Sequence, residues 1–354
     1  MNPLFLEDSI SLLRAMIAIP SLSREEKEVA NLVERSLHSW GYSPYREGNN
    51  VWIRSSAWKE ELPTILLNSH VDTVLPAKGW SYDPFGAMEV DGKLIGLGSN
   101  DAGASVVTLL SAFRHLELKP QSYNLLFCAS AEEEISGLNG VVSVLKHFGK
   151  IDLAVVGEPT GMQMAVAEKG LMVLDCEAKG KSGHAARNEG VNAIYKALAD
   201  IQTLAGLSLS KISDKLGPVK ITVTQIEAGT QHNVVPDSCK FVVDVRTNEM
   251  YSNEEVYKII AETIDSEVKP RSFRLNSSKI PLDHPLVQRG ISLGLTHYGS
   301  PTTSDQAVIP CTSVKIGPGD SARSHTADEY ILLDEIRNGV EIYLKLLDQL
   351  QIIQ

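Results

Sequence analysis

The stretch Ile65-Leu66-Leu67-Asn68-Ser69-His70-Val71-Asp72 decides the fold class, because it joins an apolar run directly to two polar functional groups. The run Ile65–Leu67 is typical of a buried strand. His70 and Asp72 are two residues apart, so on an extended chain their side chains point to the same side. The pattern predicts a strand end that presents a metal-binding histidine beside a carboxylate that orients it. The commoner alternative for such a pair is a solvated surface contact.

Strand-like and helical patterns alternate through the first half of the chain. A possible capping box formed by Ser23 and Glu26 predicts the start of a helix that runs to about Gly41. Further helices are expected near Ser105–His115 and Leu138–His147. The strand-like runs are Val51–Ile53, Thr64–Leu67, Asn124–Ala129 and Leu153–Val156. The last three are apolar throughout, which predicts an α/β fold with a mainly parallel sheet covered on both faces.

The pattern changes near Lys169 to alternating, β-branched segments. We expect an inserted α+β domain over residues 170–278, and a main domain formed by residues 1–169 and 279–354. The insert's expected strands and helices are Leu171–Glu177, Val191–Leu204, Lys220–Ile226, Lys240–Arg246 and Asn253–Ile264. The last segment should return to the main domain with Pro285–His297 as a helix, Ser313–Ile316 as a strand and Leu333–Leu350 as a helix.

The composition is that of a soluble globular protein, with 354 residues, 43% apolar and 22% charged. A net charge of −11 argues against nucleic-acid binding. No apolar run approaches the roughly 18 residues of a membrane span, and the N-terminus lacks the features of a secretory signal. The four cysteines, without CxxC spacing, are expected to be reduced thiols in a cytoplasmic protein: Cys128, Cys176, Cys239 and Cys311.

The glycine-rich segment Gly96–Gly103 contains Asp101. A nucleotide-binding loop is one interpretation, but the segment lacks the Lys-Ser/Thr of a P-loop and the glycine spacing of a dinucleotide fingerprint. Asp101 could simply cap a helix. The sharper hypothesis is that the glycines allow close backbone approach while Asp101 bridges two metal ions.

Carboxylates follow two of the predicted buried strands. Glu132-Glu133-Glu134 comes after Asn124–Ala129, and Glu158 comes after Leu153–Val156. Ligands of α/β sheets bind at the carboxyl ends of strands. One member of the triple acid could bind a metal ion and its neighbour could act as a general base, although a run of acids is more often a solvated turn.

The remaining candidates lie in loops or on the strands of the insert. His325 follows the predicted strand Ser313–Ile316, while His184, Asn233 and Arg246 belong to the insert. Each could be an ordinary polar surface residue. Five of the candidates together provide a nitrogen and oxygen ligand set that suits a pair of zinc ions: His70, Asp101, Glu134, Glu158 and His325.

The ordered motifs resemble the M20 zinc aminoacylase/peptidase family, in its acetylornithine deacetylase and succinyl-diaminopimelate desuccinylase branch. The resemblance covers nearly the whole chain and is specific as an ordered set. The motifs are S-H-V-D-T, G-L-G-S-N-D, A-E-E-E, G-E-P-T, G-H-A-A, H-N-V-V-P-D and S-H-T-A-D-E-Y.

The resemblance implies how the ligands divide between two zinc ions, for which cobalt could substitute. His70 and Glu158 would bind the first ion, Glu134 and His325 would bind the second, and Asp101 would bridge both. Each assignment is made at the position where this sequence matches the family motif.

The resemblance also implies the remaining roles. Asp72 would orient His70, and Glu133 would be the general base and later the proton donor. The insert would be a lid and dimerisation domain, in which His184 helps to stabilise the oxyanion either within its own chain or across a homodimer. Asn233 and Arg246 would lie around the substrate, with Arg246 gripping an α-carboxylate.

Three departures from the family pattern are visible. Glu132 stands where the family usually has Asp, which makes the choice of base and ligand within the triple acid a matter of registry. Ala102-Gly103 replaces a common Lys-Gly after the bridging acid. Ser69 replaces the glycine before the first histidine.

The implied function is zinc-dependent hydrolysis of an amide bond in a small N-acyl amino acid. The leading hypothesis is deacylation of N-acetyl-L-ornithine or N-succinyl-L-ornithine in arginine biosynthesis. The alternatives are succinyl-diaminopimelate desuccinylation in lysine biosynthesis, and a dipeptidase or general aminoacylase. A noncatalytic metal-binding protein on this fold is the hypothesis from a different class.

Overall fold

The computed structural model describes residues 2–352 and contains two compact units. The first unit runs up to Val166 and includes Lys279–Tyr298 and the chain from Ser304 onward. The second unit comprises Ala167–Ser278 and Gly299–Thr303. The chain passes between the units four times. Three of the crossings lie in short strands, Met164–Glu168, Ser278–Lys279 and His297–Ser300, and the fourth lies between Thr303 and Ser304.

The first unit is built on a large, mainly parallel sheet, so the expected fold class is confirmed. Its four parallel strands are, in spatial order, Asn124–Ser130, Thr64–His70, Leu153–Val156 and Ser313–Lys315. An antiparallel edge is added by Asn50–Arg54 and Tyr45–Glu47. A separate small sheet contains Met88–Val90, Lys93–Ile95 and Tyr330–Leu332.

Both faces of the parallel sheet are covered. Ile65 and Leu67 belong to one apolar cluster, which they share with the long helices. Leu66 points to the opposite face, where it packs with Leu126 and Phe148. The helices of this unit are Pro3–Ile17, Lys27–Ser39, Ala104–Leu116, Val141–Val144, Pro285–Ser292 and Leu333–Leu347. Shorter helical turns lie at Ser99–Gly103, Leu145–His147, Asp305–Ala307 and Ser321–Arg323. This double burial explains the continuous apolar runs of the strands.

The second unit is an α+β structure with its own apolar core. Its antiparallel sheet has the order Lys220–Ala228, Ser238–Arg246, Met172–Lys179 and Glu267–Pro270. The helices Ala193–Gly206 and Asn253–Thr263 pack against it. A separate two-stranded antiparallel sheet pairs Gly183–His184 with Val234–Val235.

Three local expectations are wrong. The predicted helix Leu138–His147 exists only as Val141–Val144 and the turn Leu145–His147. The predicted helix Pro285–His297 ends at Ser292, because Gly294 takes a left-handed φ of 84° that begins a turn into the next strand. The capping box is also absent, since the helix begins at Lys27 and no side chain caps it.

No helix among the described residues is both long and apolar enough to cross a membrane. None of the four cysteines is in a disulfide among the described residues.

Candidate metal centre

The candidate ligands converge because parallel strands end at one edge of the sheet. His70 is the last residue of its strand and pairs with Ser130, the last residue of the neighbouring strand. Glu158 follows the strand on the other side after a single glycine. The topology therefore brings side chains from distant parts of the sequence to one place.

The first group of candidate ligands consists of His70, Asp101 and Glu158, with His70 at its centre. Its Nε2 atom is 3.2 Å from Asp101 Oδ1 and 3.7 Å from Glu158 Oε1. Its Nδ1 atom is 3.0 Å from the carbonyl oxygen of Asp72, so in the neutral ring the proton lies on Nδ1 and Nε2 presents a lone pair. Two donors at zinc-ligand distance from one tetrahedral ion are separated by roughly 3.3 Å. These distances fit a single ion.

The second group of candidate ligands consists of Asp101, Glu134 and His325. The distances are measured from His325. Its Nε2 atom is 3.1 Å from Glu134 Oε2 and 3.7 Å from Asp101 Oδ2. Asp101 thus directs one carboxylate oxygen to each group, and it is the residue that both groups share. This arrangement suits a carboxylate that bridges two ions.

The backbone of Asp101 is fixed by a buried acid. Glu329 Oε1 accepts the N–H groups of Asn100 and Asp101, each at 2.9 Å. The Asp101–Ala102 peptide bond is cis. No local sequence pattern signals this role of Glu329, since its partners lie 228 and 229 residues earlier in the chain.

Asp72 shapes the acid loop, which is formed by Glu132, Glu133 and Glu134. Its Oδ1 atom accepts the N–H of Glu133 at 3.0 Å, and its Oδ2 atom accepts the N–H of Glu134 at 3.1 Å. Its Oδ1 atom also lies 3.4 Å from His70 Nδ1. Asp72 therefore contacts both the first histidine and the acid loop, a second function that the sequence did not suggest.

The three adjacent acids take three different directions. Glu132 has a left-handed φ of 55°, and its carboxylate accepts hydrogen bonds from Asn139. Glu133 Oε2 lies 3.8 Å from His70 Nε2, beside the first group but a member of neither. Glu134 faces His325. Of the three acids, Glu134 is the one that belongs to a candidate ligand group.

The electrostatics of the cluster indicate an excess of negative charge. Burial, with the nearby charge of Glu158, raises the pKa of Glu133 well above its usual range. Burial, with the charge of Asp101, raises the pKa of Glu158 to about 8. The hydrogen bond to Glu134 raises the pKa of His325 to about 9. Divalent cations relieve such repulsion, and mixed imidazole and carboxylate donors are those that zinc accepts.

Asp305 is a further buried carboxylate near the strand ends, and no motif in the sequence marks it. Its Oδ2 atom accepts hydrogen bonds from Asn68 Nδ2 and Ser130 Oγ, both at 2.8 Å. Burial raises its pKa to about 6. The acid ties together the ends of the two strands that lead to His70 and to the acid loop.

The other three candidates lie in the second unit. His184 Nδ1 accepts the N–H of Ala186 at 3.1 Å, so in the neutral ring the proton lies on Nε2. Asn233 is adjacent, because its carbonyl oxygen accepts the N–H of Ala185 at 3.0 Å. His184 is therefore prepared to donate a hydrogen bond through Nε2.

Arg246 already has an acidic partner. Its Nε and Nη2 atoms donate to the two oxygens of Asp244 at 2.8 and 3.1 Å. The two residues alternate on one strand and so share a face. This pair fixes the plane of the guanidinium and leaves its other N–H groups as donors.

Comparisons with known proteins found matches that cover most of the chain. The family model described as "Peptidase family M20/M25/M40" matches residues 66–349. The chain is 26% identical to an acetylornithine deacetylase of Proteus mirabilis, covering 91% of each chain. It is 28% identical to a succinyl-diaminopimelate desuccinylase of Dinoroseobacter shibae, covering 72% of this chain and 71% of that one.

A solved structure supports the fold. The aminopeptidase PepT of Bacillus cereus superimposes with a TM-score of 0.77 at 20% identity, covering 97% of this chain and 98% of that one. The matched family model extends over most of the chain and includes both groups of candidate ligands. The chain therefore belongs to peptidase family M20/M25/M40, a family of metal-dependent hydrolases that act on amide bonds.

Proposed function

We propose that this chain uses two zinc ions to remove the acyl group from an N-acyl amino acid. The leading substrates are N-acetyl-L-ornithine and N-succinyl-L-ornithine, which would place the enzyme in arginine biosynthesis. The observation that carries the proposal is the sharing of Asp101 by two ligand groups, with the carboxylate of Glu133 beside them. Cobalt is the expected functional substitute for zinc.

The proposed chemistry divides between the ions and the protein. Bound zinc would polarise the scissile carbonyl and lower the pKa of water to about 7. Glu133 removes a proton from the attacking water and passes it to the departing amine nitrogen. Its position beside the first ligand group and outside both leaves its carboxylate available for proton transfer.

The second unit would provide substrate contacts. His184, whose Nε2 carries the proton, donates a hydrogen bond to the oxyanion that forms during attack. Arg246, held in plane by Asp244, binds the α-carboxylate of the amino acid, with Asn233 nearby around the substrate. We expect a homodimer in the cytoplasm, and sedimentation as a monomer at working concentration would contradict a role for His184 across a dimer interface.

A substrate panel tests which acyl amino acid is used. Purified zinc-loaded protein is offered N-acetylornithine, N-succinylornithine, N-succinyl-diaminopimelate and an unblocked dipeptide, and release of the free amine is measured. We expect kcat/KM to be highest for one of the ornithine derivatives. Without activity on either of them, the pathway assignment is wrong even if another amide is cleaved.

The second candidate is succinyl-diaminopimelate desuccinylation. It is favoured by the similarity to the Dinoroseobacter shibae protein, which has the slightly higher identity over a shorter part of the chain. Preference for N-succinyl-diaminopimelate in the panel would move the enzyme to lysine biosynthesis. Preference for the dipeptide would favour a dipeptidase.

Substitution of Asp72→Asn tests whether Asp72 shapes the acid loop. Asparagine offers one carbonyl oxygen where the carboxylate offers two acceptors to the N–H groups of Glu133 and Glu134. We expect kcat to fall about 10- to 100-fold. A matched control is Asp152→Asn. Asp152 also accepts a backbone N–H, that of Thr64, but at the start of the strand Thr64–His70, whereas Asp72 follows the end of that strand. The control should lower only thermal stability, and equal loss of kcat in both variants would contradict the proposed role of Asp72.

A further inference from the structure

Ser23 and Glu26, which resemble a helix cap in the sequence, are used by the fold for something else. Ser23 Oγ donates to Asp72 Oδ2 at 2.7 Å. Glu26, which is fully buried, accepts the N–H of Glu132 at 3.2 Å through Oε1. Both contacts lead to the loop of three acids instead of to the helix that begins at Lys27.

The position of Glu26 is fixed from three sides. Its Oε1 atom also accepts the N–H of Arg24 at 2.6 Å, and its Oε2 atom accepts Asn49 Nδ2 at 2.8 Å. The backbone just before it is bound to the segment after His70, since the N–H of Thr73 donates to the carbonyl of Ser21 at 2.9 Å. A carboxylate with this many donors has little freedom to move.

The two buried carboxylates together hold every amide of the acid loop. The N–H of Glu132 binds Glu26, while the next two N–H groups bind the two oxygens of Asp72. Glu132 also has a left-handed φ of 55°, so the loop needs external support to keep this conformation. The direction of the Glu133 side chain follows from the backbone that these three hydrogen bonds define.

We propose that Glu26 is a positioning residue for Glu133, acting through the amide of Glu132, 106 residues away in sequence. The proposal rests on the proposed function of Glu133 as the base. Asp72 alone fixes two amides of the loop, and Glu26 fixes the amide at which the chain turns. Loss of Glu26 lets Glu132 rotate, which moves the Glu133 carboxylate away from its place beside His70.

The test compares Glu26→Ala and Glu26→Gln with Glu28→Ala. Glutamine keeps an oxygen for the N–H groups of Arg24 and Glu132, and the Asn49 amide can turn its own oxygen toward the new NH₂ group. Glu28 is the matched control, because it lies in the first turn of the helix that begins at Lys27 and binds only the side chain of Asn31 in the described structure. Three quantities are measured: steady-state kinetics, bound metal, and hydrogen exchange of the amides of residues 132–134.

For Glu26→Ala we expect kcat to fall about 10- to 100-fold, with metal content unchanged. KM should change less than about threefold, because the loss concerns proton transfer rather than substrate binding. Hydrogen exchange should accelerate at the amides of residues 132–134 and remain unchanged in the strands of the parallel sheet. Glu26→Gln should recover most of the activity, and Glu28→Ala should behave like the parent.

Unchanged exchange at residues 132–134 in Glu26→Ala overturns the proposal, as does a loss of kcat that is matched by loss of metal. Faster exchange throughout the protein assigns Glu26 a purely structural role and also overturns it. If the parent cleaves no amide, the proposed function fails, but the exchange measurement still decides whether Glu26 holds the loop.

Discussion

Glu133→Gln is expected to lower kcat about 100- to 10,000-fold while the protein keeps its metal ions. Glutamine has nearly the shape of glutamate but cannot accept the proton of the attacking water. Glu133 belongs to neither group of candidate ligands, so the side-chain amide of the introduced glutamine should leave both groups intact. The measurements are the rate of amide hydrolysis and the metal content of the same preparation.

Glu132→Gln is the matched control for this substitution. The Glu132 side chain binds Asn139 and belongs to neither ligand group, so the change should affect stability and leave kcat within a few-fold of the parent. A Glu133→Gln variant that hydrolyses substrate as fast as the parent would show that Glu133 is not the base. A parent protein that binds zinc and cleaves no amide would revive the noncatalytic hypothesis.

Asp101→Ala is expected to abolish binding of both ions, because Asp101 is the residue that both ligand groups share. His325→Ala should affect mainly the second group and leave about one ion per chain. If each site is normally saturated at about 1,000 times its dissociation constant, each lost ion removes about 4 kcal/mol of unfolding free energy. Elemental analysis after dialysis and thermal unfolding with and without a chelator measure these effects.

Asp320→Ala is a suitable control for the aspartate substitution. Asp320 caps a short turn through the N–H of Ala322 and belongs to neither ligand group. Its loss should cost about 1 kcal/mol and no metal. Should Asp101→Ala retain the metal content of the parent, a bridging role for Asp101 would be excluded.

The sequence predicted the parts of the site that lie at strand ends. His70 and Glu158 follow apolar runs, and this apolar composition is enough to predict buried strands. Because parallel strands end at the same edge of a sheet, the convergence of the two residues can be predicted without knowing how side chains pack. The order of roles within the triple acid could not be derived in this way. It depends on the left-handed φ of Glu132, which is stabilised by partners far along the chain.

Long-range contacts also explain why the predicted capping box is absent. Ser23 and Glu26 have the spacing of a capping box, but they bind Asp72 and Glu132 instead, and these contacts replace the local cap. The pairing of Arg246 with Asp244 is local and could have been found, since both residues lie on one face of a strand. Glu329 could not, because its hydrogen bonds cross more than 220 residues of sequence.

The most direct measurement is the position of bound zinc in crystals of the protein, located by anomalous diffraction at the zinc absorption edge. The proposed site predicts two peaks roughly 3.5–4 Å apart, with one carboxylate oxygen of Asp101 directed at each. The first peak should be bound by His70 and Glu158, and the second by Glu134 and His325. A single peak, or two peaks that do not share Asp101, would contradict the two-ion site.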